Sequence, residues 1–258
     1  MRIGNSEIVV LEDAAALGYK AADFFVCRIS EAVSRKAQVS VALSGGSTPK
    51  ALFSLLVEDD SFKNNIPWDK IHFFWGDERH VPPRDEQSNF RMANEIMLAK
   101  ARVRAENIHR VPTEQSDCAK VAQDYEKELL KFFRLTTGQL PVFDYNLLGL
   151  GADGHTASLF PGTRALYEHN RLVVANWVEK FQTRRITMTA PVLNNAETIV
   201  FLVSGKEKAE ALQQVLEGDH QPNRLPAQLI RPIHGRLIWI VDQAAASKLT
   251  LQPVTRNP

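Results

Sequence analysis

Two hydrophobic patterns alternate along this chain. Short, mainly apolar runs occupy 8–10, Val39–Leu43, Ile71–Trp75, 142–149, 172–178, 199–203 and 237–241. Such runs, bounded by turn residues, predict strands buried on both faces. Between them, apolar residues recur every three or four positions, which predicts amphipathic helices. Leu17, Ala21, Phe24, Phe25 and Ile29 set the phase of a helix over 13–35, with Asp13 as its N-cap. Further helices are predicted over 51–58, over 88–101 from a Ser88 cap, over 116–133, through Leu216, and over 243–248 from an Asp242 cap. The helix over 88–101 presents Met92, Ile96 and Met97, and the helix over 116–133 presents Val121, Tyr125, Leu129 and Phe132. A short strand near 108–111 and an alternating strand over 184–189 complete the pattern. Strands and helices alternate throughout, so the fold class is α/β, a mostly parallel sheet with helices on both faces.

The polar residues gather where the apolar runs end. After Val39–Leu43 comes Ser44-Gly45-Gly46-Ser47-Thr48-Pro49-Lys50. Adjacent glycines let a backbone approach closely, hydroxyls and free N–H groups can donate to an oxyanion, and Pro49 suits the first helical position. The segment has neither Walker A nor GxGxxG spacing. Ile71–Trp75 runs into Gly76-Asp77-Glu78-Arg79-His80, read as a charged loop. The run 142–149 breaks at Gly149 and Gly151 and delivers Asp153-Gly154-His155-Thr156, then a helix-compatible segment that Pro161-Gly162 stops. The carboxyl edge of an open α/β sheet is where ligands bind. The local pattern alone does not separate a working imidazole at His155 from one that caps or packs. Arg184-Arg185 and the Lys206/Lys208 pair lie at two further strand ends. Hydroxyls, glycines, an Asp-x-Arg pair, Asp-Gly-His and scattered cations suit a small phosphorylated substrate, with one imidazole transferring a proton.

Composition narrows the alternatives. A formal net charge of +1 over 258 residues argues against a general nucleic-acid or membrane-surface partner. No uncharged run approaches the ~20 residues of a membrane span, and MRIGNSEIVVLEDA lacks the character of a signal peptide. A cytoplasmic setting is expected. Cys27 and Cys118 are far apart, without CxxC or metal spacing, and Cys27 is expected to be a buried free thiol. His80 and His155 have no HxxxH or HxH companion, so no metal site is expected. A GxSxG elbow is also missing.

LSGGSTPKALF, WGDERHVP followed by SNF, and LLGLGADGHTASLFPG, with RRITMT and VSGKEKAEAL after them, resemble the 6-phosphogluconolactonase family in order and spacing, from about residue 8 to 250. The first two motifs are shared with the related glucosamine-6-phosphate deaminases. The resemblance implies a single domain, residues 1–258, folded as a Rossmann-like three-layer αβα sandwich. It also implies hydrolysis of a sugar-phosphate lactone without a cofactor, in the oxidative pentose phosphate pathway. By resemblance, His155 is the general base toward water. Arg79 serves the oxyanion or the phosphate, Asp77 orients Arg79 or a sugar hydroxyl, and Asp153 holds the loop or the imidazole. Gly45, Gly46 and Ser47 form the phosphate cradle, reinforced by Arg185 and by Lys208, which aligns better than Lys206. The deaminases carry a glutamate five residues after the histidine, where this chain has Phe160. A deaminase and a non-catalytic sugar-phosphate sensor are the competing readings. The resemblance leaves the oligomeric state open, and a monomer is compatible with it.

Overall fold

The computed structural model describes residues 2–3 and 6–250. Part of the N-terminal stretch weighed above (Met1, Gly4 and Asn5) and the segment 251–258 of the expected domain lie outside the described residues. The strands are β1 (Arg2–Ile3), β2 (Ser6–Leu11), β3 (Val39–Leu43), β4 (Ile71–Trp75), β5 (Asp77–Arg79), β6 (Tyr145–Gly149), β7 (Val173–Val178), β8 (Thr183–Met188), β9 (Thr198–Val203) and β10 (Arg236–Asp242). The helices are α1 (Ala14–Arg35), α2 (Ser47–Glu58), α3 (Asp60–Lys63), α4 (Asn89–Ala93), α5 (Cys118–Phe132), α6 (Ala190–Asn194), α7 (Ala209–Glu217) and α8 (Gln243–Ala246).

Seven strands form one sheet in the order β1-β2-β10-β9-β6-β3-β4. All its pairs are parallel except β1 with β2 at one edge. Every residue of β3, β4 and β9 is buried, which is why these strands read as mainly apolar runs without alternation. From β3 the chain crosses outward through α2 to β4, whereas from β6 onward it steps the other way, to β9 and then β10. Right-handed crossovers therefore put α1 and α2 on one face and α5 and α7 on the other. The two directions part between β3 and β6, and this reversal is the place where open α/β sheets hold ligands.

The same periodicity packs the helices. α1 buries Leu17, Ala21, Ala22, Phe25, Ile29 and Ala32 along one stripe, and Asp13 accepts a hydrogen bond from the Ala16 N–H at 2.8 Å. Each large apolar side chain so buried contributes about 1.5–3 kcal/mol. α5 buries Val121, Tyr125 and Leu129. The Tyr125 hydroxyl donates to the Trp75 carbonyl at 3.1 Å and accepts from the Trp75 N–H at 2.8 Å, where β4 ends.

Several expectations need correction. The charged stretch after β4 is not a plain loop. Asp77–Arg79 is a strand in a second, antiparallel sheet, β5-β8-β7, which the alternation rule did not foresee. Gly76 is the join. Its N–H donates to Leu43 of the main sheet at 2.9 Å, and its carbonyl accepts from Met188 of the second at 2.9 Å. The segment after His155 is not helical, because Ala157 has φ of 47° and a turn closes from the Leu159 N–H to the Thr156 carbonyl at 2.9 Å. Pro49 is the third helical residue, α2 starting at Ser47 from a Gly46 cap. The helix from Ser88 stays α-helical only to Ala93 and continues as a π-turn over Asn94–Leu98. Near 108–111 only a single bridge forms, between Phe73 and Ile108. Cys27 is exposed, since it sits two residues, or about 200°, from buried Phe25 around α1.

Candidate active site

The ends of β3, β4, β6 and β9 surround one cavity of about 190 Å³. Ser44, Gly45 and Gly46 line it after β3, Asp77 and Arg79 from β5, Gly149, Leu150, Gly151, His155 and Ala157 from the end of β6 onward, and Lys208 after β9. Larger depressions exist, one of about 480 Å³ beside Trp239 and one of about 780 Å³ beside Trp177. In this smaller one, an imidazole, a carboxylate, a guanidinium, an ammonium and a helix start meet at the sheet reversal. Chemistry, not size, marks the site.

His155 is held on three sides. Its Nδ1 lies 2.5 Å from Oδ1 of Asp153, its backbone carbonyl accepts from Gly151 N–H at 2.8 Å, and its ring stacks on Phe160 at 4.0 Å and 21°. An ionised Asp153 can only accept, so the proton of a neutral imidazole sits on Nδ1 and Nε2 keeps its lone pair. Among the described residues no hydrogen bond to Nε2 is formed. Burial works against ionisation of Asp153, but hydrogen bonds from His155 and from Lys180, whose Nζ is 2.8 Å from Oδ2, hold this carboxyl well below the usual range. The glycine before them is a spatial necessity. A Cβ on Gly151 would fall 1.9 Å from His155 Nδ1 and 2.7 Å from Asp153 Oδ1.

The second motif is organised by the strand it was not expected to form. Alternation along β5 places Asp77 and Arg79 on one face and Glu78 on the other. Glu78 is 1% exposed and accepts from the backbone N–H groups of Arg79, Asn89 and Phe90 and from the Ser88 hydroxyl. Burial raises its pKa, with those N–H groups pulling the other way. It thereby seats α4, whose Asn89 donates to the Asp77 carbonyl at 3.0 Å and lines the cavity. Asn89 lies so close to the glycine turn that a Cβ on Gly45 would be 1.9 Å from its Oδ1. Asp77 accepts from the Ser158 hydroxyl at 2.6 Å. The left-handed Ala157 in that turn costs about 1–3 kcal/mol, and the buried Ser158–Asp77 hydrogen bond opposes that cost. Arg79 donates from Nη1 to the Gln87 carbonyl.

Of the residues singled out as phosphate ligands, Gly45, Gly46 and Lys208 reach this cavity. Lys206 is exposed and does not line it. α2 has no side-chain cap, so its first N–H groups remain available to an anion. Lys208 closes the turn Lys206–Lys208, which Asp242 anchors by accepting from the Ser204 hydroxyl at 2.5 Å and the Gly205 N–H at 3.0 Å. Ser47 is exposed at the first residue of α2 and does not line the cavity. Arg185 stands behind it, paired across the ladder with Arg79, its Nε buried without a hydrogen-bond partner. Burial and the Arg79 charge lower its pKa. Asp153 lines the neighbouring groove and meets the cavity through His155. Sequence reasoning missed Asn89, Ser158 and Lys180. SNF marked the first as part of a motif, but nothing in its local pattern linked it to the glycine turn.

A sequence model of the family described as glucosamine-6-phosphate isomerases/6-phosphogluconolactonase matches residues 12–239. The chain belongs to this family. Within it, the chain is 44% identical over 222 residues to the 6-phosphogluconolactonase of Synechocystis sp., covering 86% of this chain and 89% of that one. It is 40% identical over 244 residues to the 6-phosphogluconolactonase of Nostoc sp., covering 95% and 98%. The solved 6-phosphogluconolactonase of Trypanosoma cruzi superposes with a TM-score of 0.83 at 30% identity, covering 95% of this chain and 97% of that one. The family's description names two activities. Phe160, 5% exposed, occupies one face of the imidazole with a ring that can neither accept nor donate a proton.

Proposed function

We propose that this chain is a 6-phosphogluconolactonase, hydrolysing 6-phospho-D-glucono-1,5-lactone to 6-phosphogluconate in the oxidative pentose phosphate pathway. In this reading it acts as a single α/β domain, in the cytoplasm, without a cofactor and without a nucleic-acid or membrane partner. The observation that carries the proposal is the Asp153–His155 pair at the cavity, with Nδ1 committed and Nε2 free. Nε2 takes a proton from water as the water oxygen adds to the lactone carbonyl. The charge passes to the carbonyl oxygen, where Arg79 stabilises it. Collapse of the tetrahedral intermediate breaks the ring C–O bond, and the imidazolium returns its proton to the departing alkoxide. Asp153 stabilises that imidazolium without taking its proton. Lys208, Gly45, Gly46 and the N–H groups of α2 hold the phosphate, with Ser47 at the rim and Arg185 adding charge behind Arg79. Asp77, fixed by Ser158, is left to accept from Arg79 or a sugar hydroxyl.

Deamination of glucosamine 6-phosphate is the alternative with a specific feature in its favour, the Asp77 carboxylate at the cavity. It also needs an acid group beside the imidazole to open the sugar ring, and Phe160 fills that place. One enzyme preparation should be given both substrates. The proposal expects lactone hydrolysis well above the spontaneous rate and no ammonia above background from glucosamine 6-phosphate. Ammonia and fructose 6-phosphate at comparable kcat/KM would reverse the assignment. Tight lactone binding with no turnover would favour a sensor.

A further inference from the structure

A third charged group stands behind the Asp153–His155 pair. Asp153 offers Oδ1 to the imidazole and Oδ2 to the Lys180 ammonium, at 2.5 and 2.8 Å. Lys180 comes from the turn Glu179–Phe181 between β7 and β8, remote in sequence from the histidine loop. Its ammonium also lies 5.3 Å from the centre of the Phe181 ring, Phe181 meets Phe160 edge-on at 5.7 Å, and Phe160 stacks on His155. One turn of the second sheet thus touches the imidazole by two routes, ionic through Asp153 and aromatic through Phe160.

We propose that Lys180 is a positioning residue for His155. It clamps the Asp153 carboxylate in the orientation that accepts the Nδ1–H hydrogen bond, and it offsets part of the negative charge that favours the imidazolium. The inference rests on His155 being the general base. An unopposed carboxylate beside an imidazole favours the imidazolium, which cannot accept a proton from water. A cation on the carboxylate's other oxygen opposes that effect while leaving the hydrogen bond in place. The other charged groups near the ring are Asp77, Arg79 and Lys208 across the cavity. In the groove behind it, Arg164 shares the lining, Arg184 lies over Trp177, and Glu179 is engaged by Trp177 and Gln182, while Arg185 lies over Phe181. Among the described residues, Lys180 is the cation in direct contact with Asp153. Its side chain is 57% exposed, so solvent screening makes the effect moderate.

The test uses Lys180→Met, with Lys180→Gln as a second neutral variant and Lys180→Arg as the conservative one. The His155 ring protons are titrated by NMR in the ligand-free protein, with His155→Asn assigning the resonance. Loss of the positive charge should raise the midpoint by about half a unit to one unit. The acid limb of kcat/KM for lactone hydrolysis should move up with it, while Lys180→Arg stays near wild type. A lower kcat at every pH with an unmoved midpoint would reduce Lys180 to a structural contact and overturn the proposal. The NMR midpoint needs no turnover. A protein that titrates as expected but hydrolyses no lactone would therefore refute the proposed function while leaving the coupling of Lys180 to His155 through Asp153 in place.

Discussion

At the residue scale, one carboxylate carries most of the organisation. Asp153 fixes the imidazole tautomer, pairs with Lys180 and accepts the His155 backbone N–H at 3.3 Å. Its lowered pKa has a consequence for stability, because a carboxyl that ionises more easily folded than unfolded stabilises the fold above its unfolded pKa of ~3.9. That contribution is lost progressively as pH falls below this value toward the folded pKa. Asp153→Asn has no such contribution to lose. Denaturant titrations at pH 5 and pH 3 should show a smaller loss of stability in the variant than in wild type. An equal or larger loss in the variant would mean that the pair does not bind the proton linkage described.

At the element scale, the loop from Gly149 to Gly162 works only because it is not a helix. Gly151 admits the imidazole, Ala157 turns the chain back, and Ser158 reaches Asp77. Gly151→Ala should therefore act like a change at His155 itself. Its Cβ pushes the ring off Asp153, lowering kcat roughly 10²-fold or more with a smaller change in KM, measured by steady-state kinetics. A variant with wild-type kcat would show that the ring has room to move.

Much of this scale was legible in the sequence. Continuous burial on both faces makes β3, β4 and β9 mainly apolar, and one-sided burial gives α1 its period, so these elements announce themselves. Asp77-Glu78-Arg79 did not. It is a strand whose two carboxylates, Asp77 and Glu78, are buried against hydrogen-bonding partners, Ser158, Asn89 and the α4 N–H groups, and no hydrophobic period records that. Lys180 was invisible for a similar reason. Its partner is 27 residues away, and only the pairing of β7 with β8 brings its turn to the histidine loop.

At the scale of the whole molecule, the formal charge is nearly balanced, so an anionic substrate has to be recognised locally rather than by the overall field. The reversal of crossover direction between β3 and β6 supplies the place. In the proposed function, Lys208 at the cavity and the uncapped start of α2 supply the local field. Lys208→Ala should mainly raise KM for the phosphorylated lactone, with a smaller fall in kcat, because phosphate binding also positions the reacting end. The unphosphorylated lactone should be a poor substrate and nearly indifferent to the change. Equal handling of both lactones by wild type would place the phosphate site elsewhere.

The most direct measurement follows hydrolysis of freshly generated 6-phosphogluconolactone, spontaneous hydrolysis subtracted, by wild type and by His155→Asn. Wild type should turn over. The variant, folded and still binding substrate, should have kcat lower by roughly 10²–10⁴-fold, as for a lost general base. Near-wild-type turnover by a folded His155→Asn, or no turnover by wild type, would contradict a histidine-based lactonase.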